Sequence, residues 1–81
     1  MNDRYIQIIA KRIQSLCERR GISQYQLGIK SGLGHSTISA IATGKSKDPK
    51  IKTIHKIALG FGMTVAEFLD FEELNNYSFD D

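Results

Sequence analysis

Four polar side chains, His35, Ser36, Ser39 and Thr43, fall on one face if the chain is helical there, and four lysines follow at 45, 47, 50 and 52. Hydroxyls, an imidazole and ammonium groups in that order are equipped to hydrogen-bond acceptors and to neutralise anions. How they would be held is written in the stretch Gln24 to Thr43, QYQLGIKSGLGHSTISAIAT. It reads as a helix, a glycine-pivoted turn and a second helix. Two helices that cross steeply need a small residue where their backbones approach, and Gly28 supplies it beside apolar Leu27. The turn needs positive φ, which Gly32 reaches without steric cost before apolar Leu33. Ile38 and Ile41 lie on the inner face of the second helix and can anchor it. A short helix fixed at an angle on a tight turn is a device for pushing side chains into the major groove of DNA.

Other chemistries find less support. Asp70, Glu72 and Glu73 lie near one another but on a tail with no cleft to perturb them. No Gly-rich phosphate loop and no nucleophile–base pairing is present, so no enzymatic role is expected. Two histidines and one cysteine do not make a zinc site, which needs three or four convergent ligands, and no cofactor is expected. His55, beside Ile54, reads as a packed or surface histidine. The single cysteine, Cys17, excludes an internal disulfide. It flanks an apolar helix face and is expected as a small buried hydrophobe. No run of about 18 apolar residues suggests a membrane span. The opening MNDRYIQIIAKR is charged too early for a secretory signal, and a cytoplasmic location is expected.

An 81-residue chain with 41% apolar residues suffices for one small globular domain. Its core would be marginal, so compact helical packing or dimerisation would help. The spacing predicts a first helix from about Asp3 to Arg20, with Ile6, Ile9, Ile13 and Leu16 inward. Gly21 ends it, with Arg19 and Arg20 suited to the negative end of the helix dipole. Ser23 caps the second helix, about Gln24–Ser31, and Gln26 completes a capping box. The third runs from about His35 to Thr43, between Gly34 and Gly44. After the polar loop GKSKDPK, a fourth helix from about Ile51 to Phe61 should bury Ile51, Ile54, Ile57 and Ala58. Thr64 with Glu67 forms a second capping box and opens a short fifth helix with Val65, Phe68 and Leu69. That helix is expected to extend through Leu74 and then fray. The fold class is all-α, with no strand signal.

Charge divides along the chain. All 11 Lys and Arg precede residue 57 and face only Asp3, Glu18 and Asp48, a balance of +8. Residues 57–81 hold six acids and no base, a balance of −6. A polyanion would attract the body and repel the end.

Taken in order, these motifs resemble the phage repressor and Cro-type (XRE-like) helix-turn-helix family over roughly residues 5–70. The resemblance rests on the Gln24–Thr43 core, the basic first helix, Gly21-Ile22-Ser23-Gln24 and Ser36-Thr37-Ile38-Ser39. It also rests on Gly44-Lys45-Ser46 followed by Pro49, and on Gly62-Met63-Thr64-Val65. It implies a compact five-helix bundle and a DNA-binding regulator, mostly dimeric. It implies that His35 and Ser36 reach base edges, with Thr37, Ser39 and Ala40 on the same helix. It implies phosphate contacts from Ser23, Gln24, Thr43, Lys45, Lys47 and Lys50. Three positions depart from the family pattern: Gly28 where alanine is usual, Ser31 where an apolar residue is usual, and acidic Asp48 in the basic loop. The third helix also lacks Arg, Asn and Gln, the residues that make bidentate base contacts.

The expected organisation is a helix-turn-helix domain over 1–70 and an acidic aromatic tail over 71–81. The expected partner is double-stranded DNA with a palindromic operator, bound by a homodimer. Phe68, Phe71, Leu74, Tyr77 and Phe79 form an apolar trail at the acidic end. It is either internal packing or a dimer contact through Phe68, Phe71 and Leu74. Two other functions stay open. One is an antitoxin-like interaction module that uses the tail to bind a protein; the other is a weakly selective DNA binder.

Overall fold

The computed structural model describes residues 4–79, which form helices and connecting turns with no strand. The elements are α1 (Arg4–Arg20), α2 (Gln24–Ser31), α3 (His35–Ala42), α4 (Ile51–Gly60), α5 (Val65–Leu69) and α6 (Glu72–Asn75). Asp3, expected to open α1, lies outside the described residues.

The apolar stripe of α1 supplies Ile6, Ile9, Ile13 and Leu16 to one core, where Leu27, Ile38, Ile41, Ile57, Phe61 and Phe68 meet it. Burying such a side chain stabilises the fold by about 1.5–3 kcal/mol. Cys17 belongs to that core, and burial pushes its thiol pKa up. Both capping boxes form: Ser23 Oγ accepts from the Gln26 amide at 3.0 Å, and Thr64 Oγ1 accepts from the Glu67 amide at 3.0 Å. The reciprocal side-chain bonds are present as well.

Four expectations are corrected. Ile51 is 67% exposed rather than buried; it opens α4 at the rim of a cleft shared with Tyr5, Ile6 and Ile9 of α1. The C-terminal ends of α3 and α4 fall slightly inside the expected bounds, with Thr43 and Phe61 acting as their C-caps. The fifth helix does not run on to Leu74. It stops at Asp70 (φ −88°, ψ 83°), and the sixth helix starts after Phe71, so the described residues form six helices rather than five. The segment after Leu74 folds back instead of fraying outward: the Tyr77 ring meets the Tyr5 ring edge-on at 5.1 Å, and Phe79 lies 5.6 Å from Tyr5.

Polar side chains of α1 close the C-terminal ends of three later helices. Gln14 Nε2 donates to the Ala42 carbonyl at the end of α3. An Arg20 guanidinium nitrogen donates to the Phe61 carbonyl after α4. Arg12 donates to the carbonyls of Phe68 at 2.9 Å and Glu67 at 3.0 Å. Helix ends leave carbonyls without intrahelical partners, and these bonds answer some of them at each end. Two of the eleven basic residues are therefore structural. Burial, and then the nearby Arg19 charge, lower the Arg12 pKa. Its guanidinium also covers the Phe71 ring at 4.7 Å.

Candidate nucleic-acid interface

The angle between α2 and α3 depends on an absent atom. A Cβ on Gly28 would sit 2.8 Å from the Gly34 carbonyl carbon and 2.9 Å from the His35 nitrogen. The turn between them is left-handed at Gly32 (φ 74°). The Leu33 and Gly34 amides both donate to the Gly28 carbonyl, at 3.1 and 3.2 Å. Ser31 is buried where an apolar residue is usual, because Gly60 of α4 packs closely on it. A Cβ at Gly60 would lie 3.1 Å from that of Ser31.

This frame presents α3 by its N-terminal end. Gly34 precedes it with no side-chain cap, so the opening amides of α3 are left for an external acceptor. His35 and Ser36 are exposed, whereas Thr37, Ser39 and Ala40 are half-buried beside them. Ile38, Ile41 and Ala42 are buried on the opposite side. At the start of α2, Ser23 is exposed and Gln24 half-buried. Ser23 Oγ serves the Gln26 amide as acceptor, which leaves its own proton for a second acceptor such as a phosphate.

Thr43 is exposed, but its hydroxyl donates to the Ser39 carbonyl at 2.7 Å. One proton cannot serve Ser39 and a phosphate together, so a Thr43 phosphate contact requires release of that bond. Beyond it, the Ser46 amide donates to the Ala40 carbonyl at 3.0 Å and ties the loop to α3. Lys45, Lys47 and Lys50 are exposed on that loop, as is Asp48. Lys50 is the N-cap of α4 and makes no side-chain capping bond. Cations at this end of a helix are disfavoured by about 0.3–1 kcal/mol, a cost that a bound anion would remove.

Ser23 and Gln24 thus lie at the start of α2, His35 and Ser36 at the start of α3, and the lysines on the loop that follows α3. A family model for the Cro/C1-type helix-turn-helix DNA-binding domain matches residues 12–73. The chain belongs to the Cro/C1-type helix-turn-helix family. It is also 35% identical over 63 residues to the HTH-type transcriptional regulator PuuR of Escherichia coli (strain K12), and equally to PuuR of Shigella flexneri. Each match covers 78% of this chain and 34% of the relative, so the chain spans about a third of the length of these curated relatives. No solved structure matches it. The DNA-binding fold expected from the motifs is the one found.

Of the three residues expected at a dimer contact, Phe68 is corrected: it is fully buried, against Phe61 at 6.2 Å between ring centroids. A phenylalanine of the core has no surface to offer a partner. Phe71 and Leu74 are half-buried against the bundle. Among the described residues no helix is long and apolar enough to cross a membrane.

Sequence reasoning missed two things here. It gave no sign that Arg12 and Arg20 donate to carbonyls far along the chain. It also passed over Tyr25, a 62% exposed residue in the first turn of α2 whose ring lies 6.0 Å from that of His35. The available signal was an aromatic residue placed off the buried face that Leu27 and Gly28 define.

Proposed function

We propose that the chain is the DNA-reading part of a transcriptional repressor that works as a homodimer in the cytoplasm. The observation that carries this reading is the exposed polar start of α3, uncapped at Gly34 and set on α2 through the Gly28 approach. Phosphates anchor on Ser23, Gln24 and the lysines at 45, 47 and 50, and on Thr43 once its hydroxyl is released, fixing register. His35 and Ser36, with Thr37, Ser39 and Ala40 beside them, meet base edges. Residues 1–70 are the DNA-binding unit, and the acidic end at 71–81 stays away from the phosphates. Phe71 and Leu74 give a two-fold contact, which makes the operator an imperfect palindrome with half-sites about 34 Å apart.

Selection of bound duplexes from a random pool tests this reading. A palindromic consensus is expected, with affinity falling as salt rises. Lys47→Ala should reduce the magnitude of the log–log salt slope by about 0.9, and an unchanged slope removes Lys47 from the contacts. A second reading, weakly selective binding, is favoured by the short side chains of α3. An affinity for the consensus duplex equal to that for random duplex would choose it.

A further inference from the structure

The outer face of α3 carries a histidine, two serines, a threonine and an alanine, none able to make a bidentate contact to guanine or adenine. Against this short surface stands one large exposed ring. Tyr25 lies in the first turn of α2, and its centroid is 6.0 Å from that of His35, with the ring planes at 58°. Both residues are exposed, and the close approach of Gly28 to Gly34 and His35 seats the start of α3 against the middle of α2. The two rings therefore form one continuous wall, apolar on the tyrosine face and polar at the imidazole edge. We infer that Tyr25 is a specificity-determining residue and that the Tyr25–His35 wall selects thymine, through its 5-methyl group. Thymine presents that methyl group beside the O4 acceptor in the major groove. The methyl group packs on the Tyr25 ring while an imidazole N–H donates to O4. Cytosine, which lacks the methyl group and offers a donor in place of O4, satisfies neither.

This inference rests on the DNA reading above, and the experiment separates the two. Starting from the selected operator, each thymine of one half-site is replaced singly by uracil, which removes only the methyl group. Binding is measured for the unmodified chain, Tyr25→Phe and Tyr25→Ala. Withdrawing one methyl group from an apolar contact corresponds to roughly a fourfold loss of affinity. The unmodified chain should show that loss at one thymine. Tyr25→Phe should keep it, because the ring face rather than the hydroxyl makes the contact. Tyr25→Ala should bind the thymine and uracil duplexes equally at that position. Because Tyr25 is exposed and outside the core, both variants should melt as the unmodified chain does. If no uracil weakens binding, or if Tyr25→Ala still discriminates, the inference is overturned while DNA binding stands. A tyrosine that only contacts a phosphate would instead show weaker binding of Tyr25→Phe to all duplexes, which also overturns it. A chain that binds no duplex overturns both readings.

Discussion

Alanine at position 28 tests how closely α2 and α3 must sit. Its Cβ would meet the Gly34 carbonyl carbon at 2.8 Å and the His35 nitrogen at 2.9 Å, where ordinary contact begins at 3.4 Å. Both obstacles are backbone, so no rotamer change relieves them, and the helices must part by about half an ångström. Alanine gains about 1 kcal/mol in helix propensity over glycine. Overpacking of this kind costs about 1–3 kcal/mol. The clash wins, by about 1 kcal/mol, and a domain of this size should lose about 4–8 °C in Tm. The displaced group is the backbone that begins the reading helix, so affinity for the selected operator should fall more than affinity for random duplex. Circular-dichroism melts and paired binding titrations measure both effects. The family resemblance implies alanine at this position, so the sign is informative. A Gly28→Ala chain that melts higher and keeps its operator preference would show that the pair separates freely, and the close-approach argument would be wrong.

Three further outcomes follow from the packing. Phe68→Ala should cost about 3–5 kcal/mol in urea denaturation, whereas Leu74→Asp should weaken self-association in sedimentation runs across a concentration series; equal dimerisation of Leu74→Asp and the parent chain would place the interface elsewhere. Arg12→Met should leave the carbonyls ending α5 without their donor, at about 1–3 kcal/mol, and lower the urea midpoint without altering the DNA salt slope. Cys17 has its thiol pKa raised by burial, so its contribution is full below the unfolded thiol pKa of about 8.5 and is lost as pH rises through the folded value. A Cys17→Ala chain should therefore lose less stability than the parent between neutral and strongly alkaline pH, as urea midpoints would record.

Local signals in the sequence proved reliable because their partners are local. Ser23 with Gln26, and Thr64 with Glu67, are three residues apart, so each capping box is visible in a string of letters. The stripe Ile6, Ile9, Ile13 and Leu16 is equally visible, since helical periodicity alone decides which side turns inward. Ile51 continued such a stripe but opens α4 and stays 67% exposed, at the rim of a cleft rather than in the core. Phe68 could be read either as packing or as a dimer contact, and its ring fills the space beside Phe61. The structural roles of Arg12 and Arg20 were not legible, because their acceptors are carbonyls far along the chain. The Tyr25–His35 wall was illegible for the same reason: it exists only once Gly28 has brought two helices together.

Gln14 holds the carbonyl of Ala42 while Gly28 seats the opposite end of the same helix against α2. That helix is thereby fastened at both ends, to α1 through Gln14 and to α2 through the Gly28 approach. Its conformational freedom is lost when the chain folds, not when it meets an operator, so little ordering remains to oppose association. The kinetic consequence is arrival without rearrangement. Encounter should proceed at the rate set by charge steering and orientation, and operators should be told apart by how long they are held.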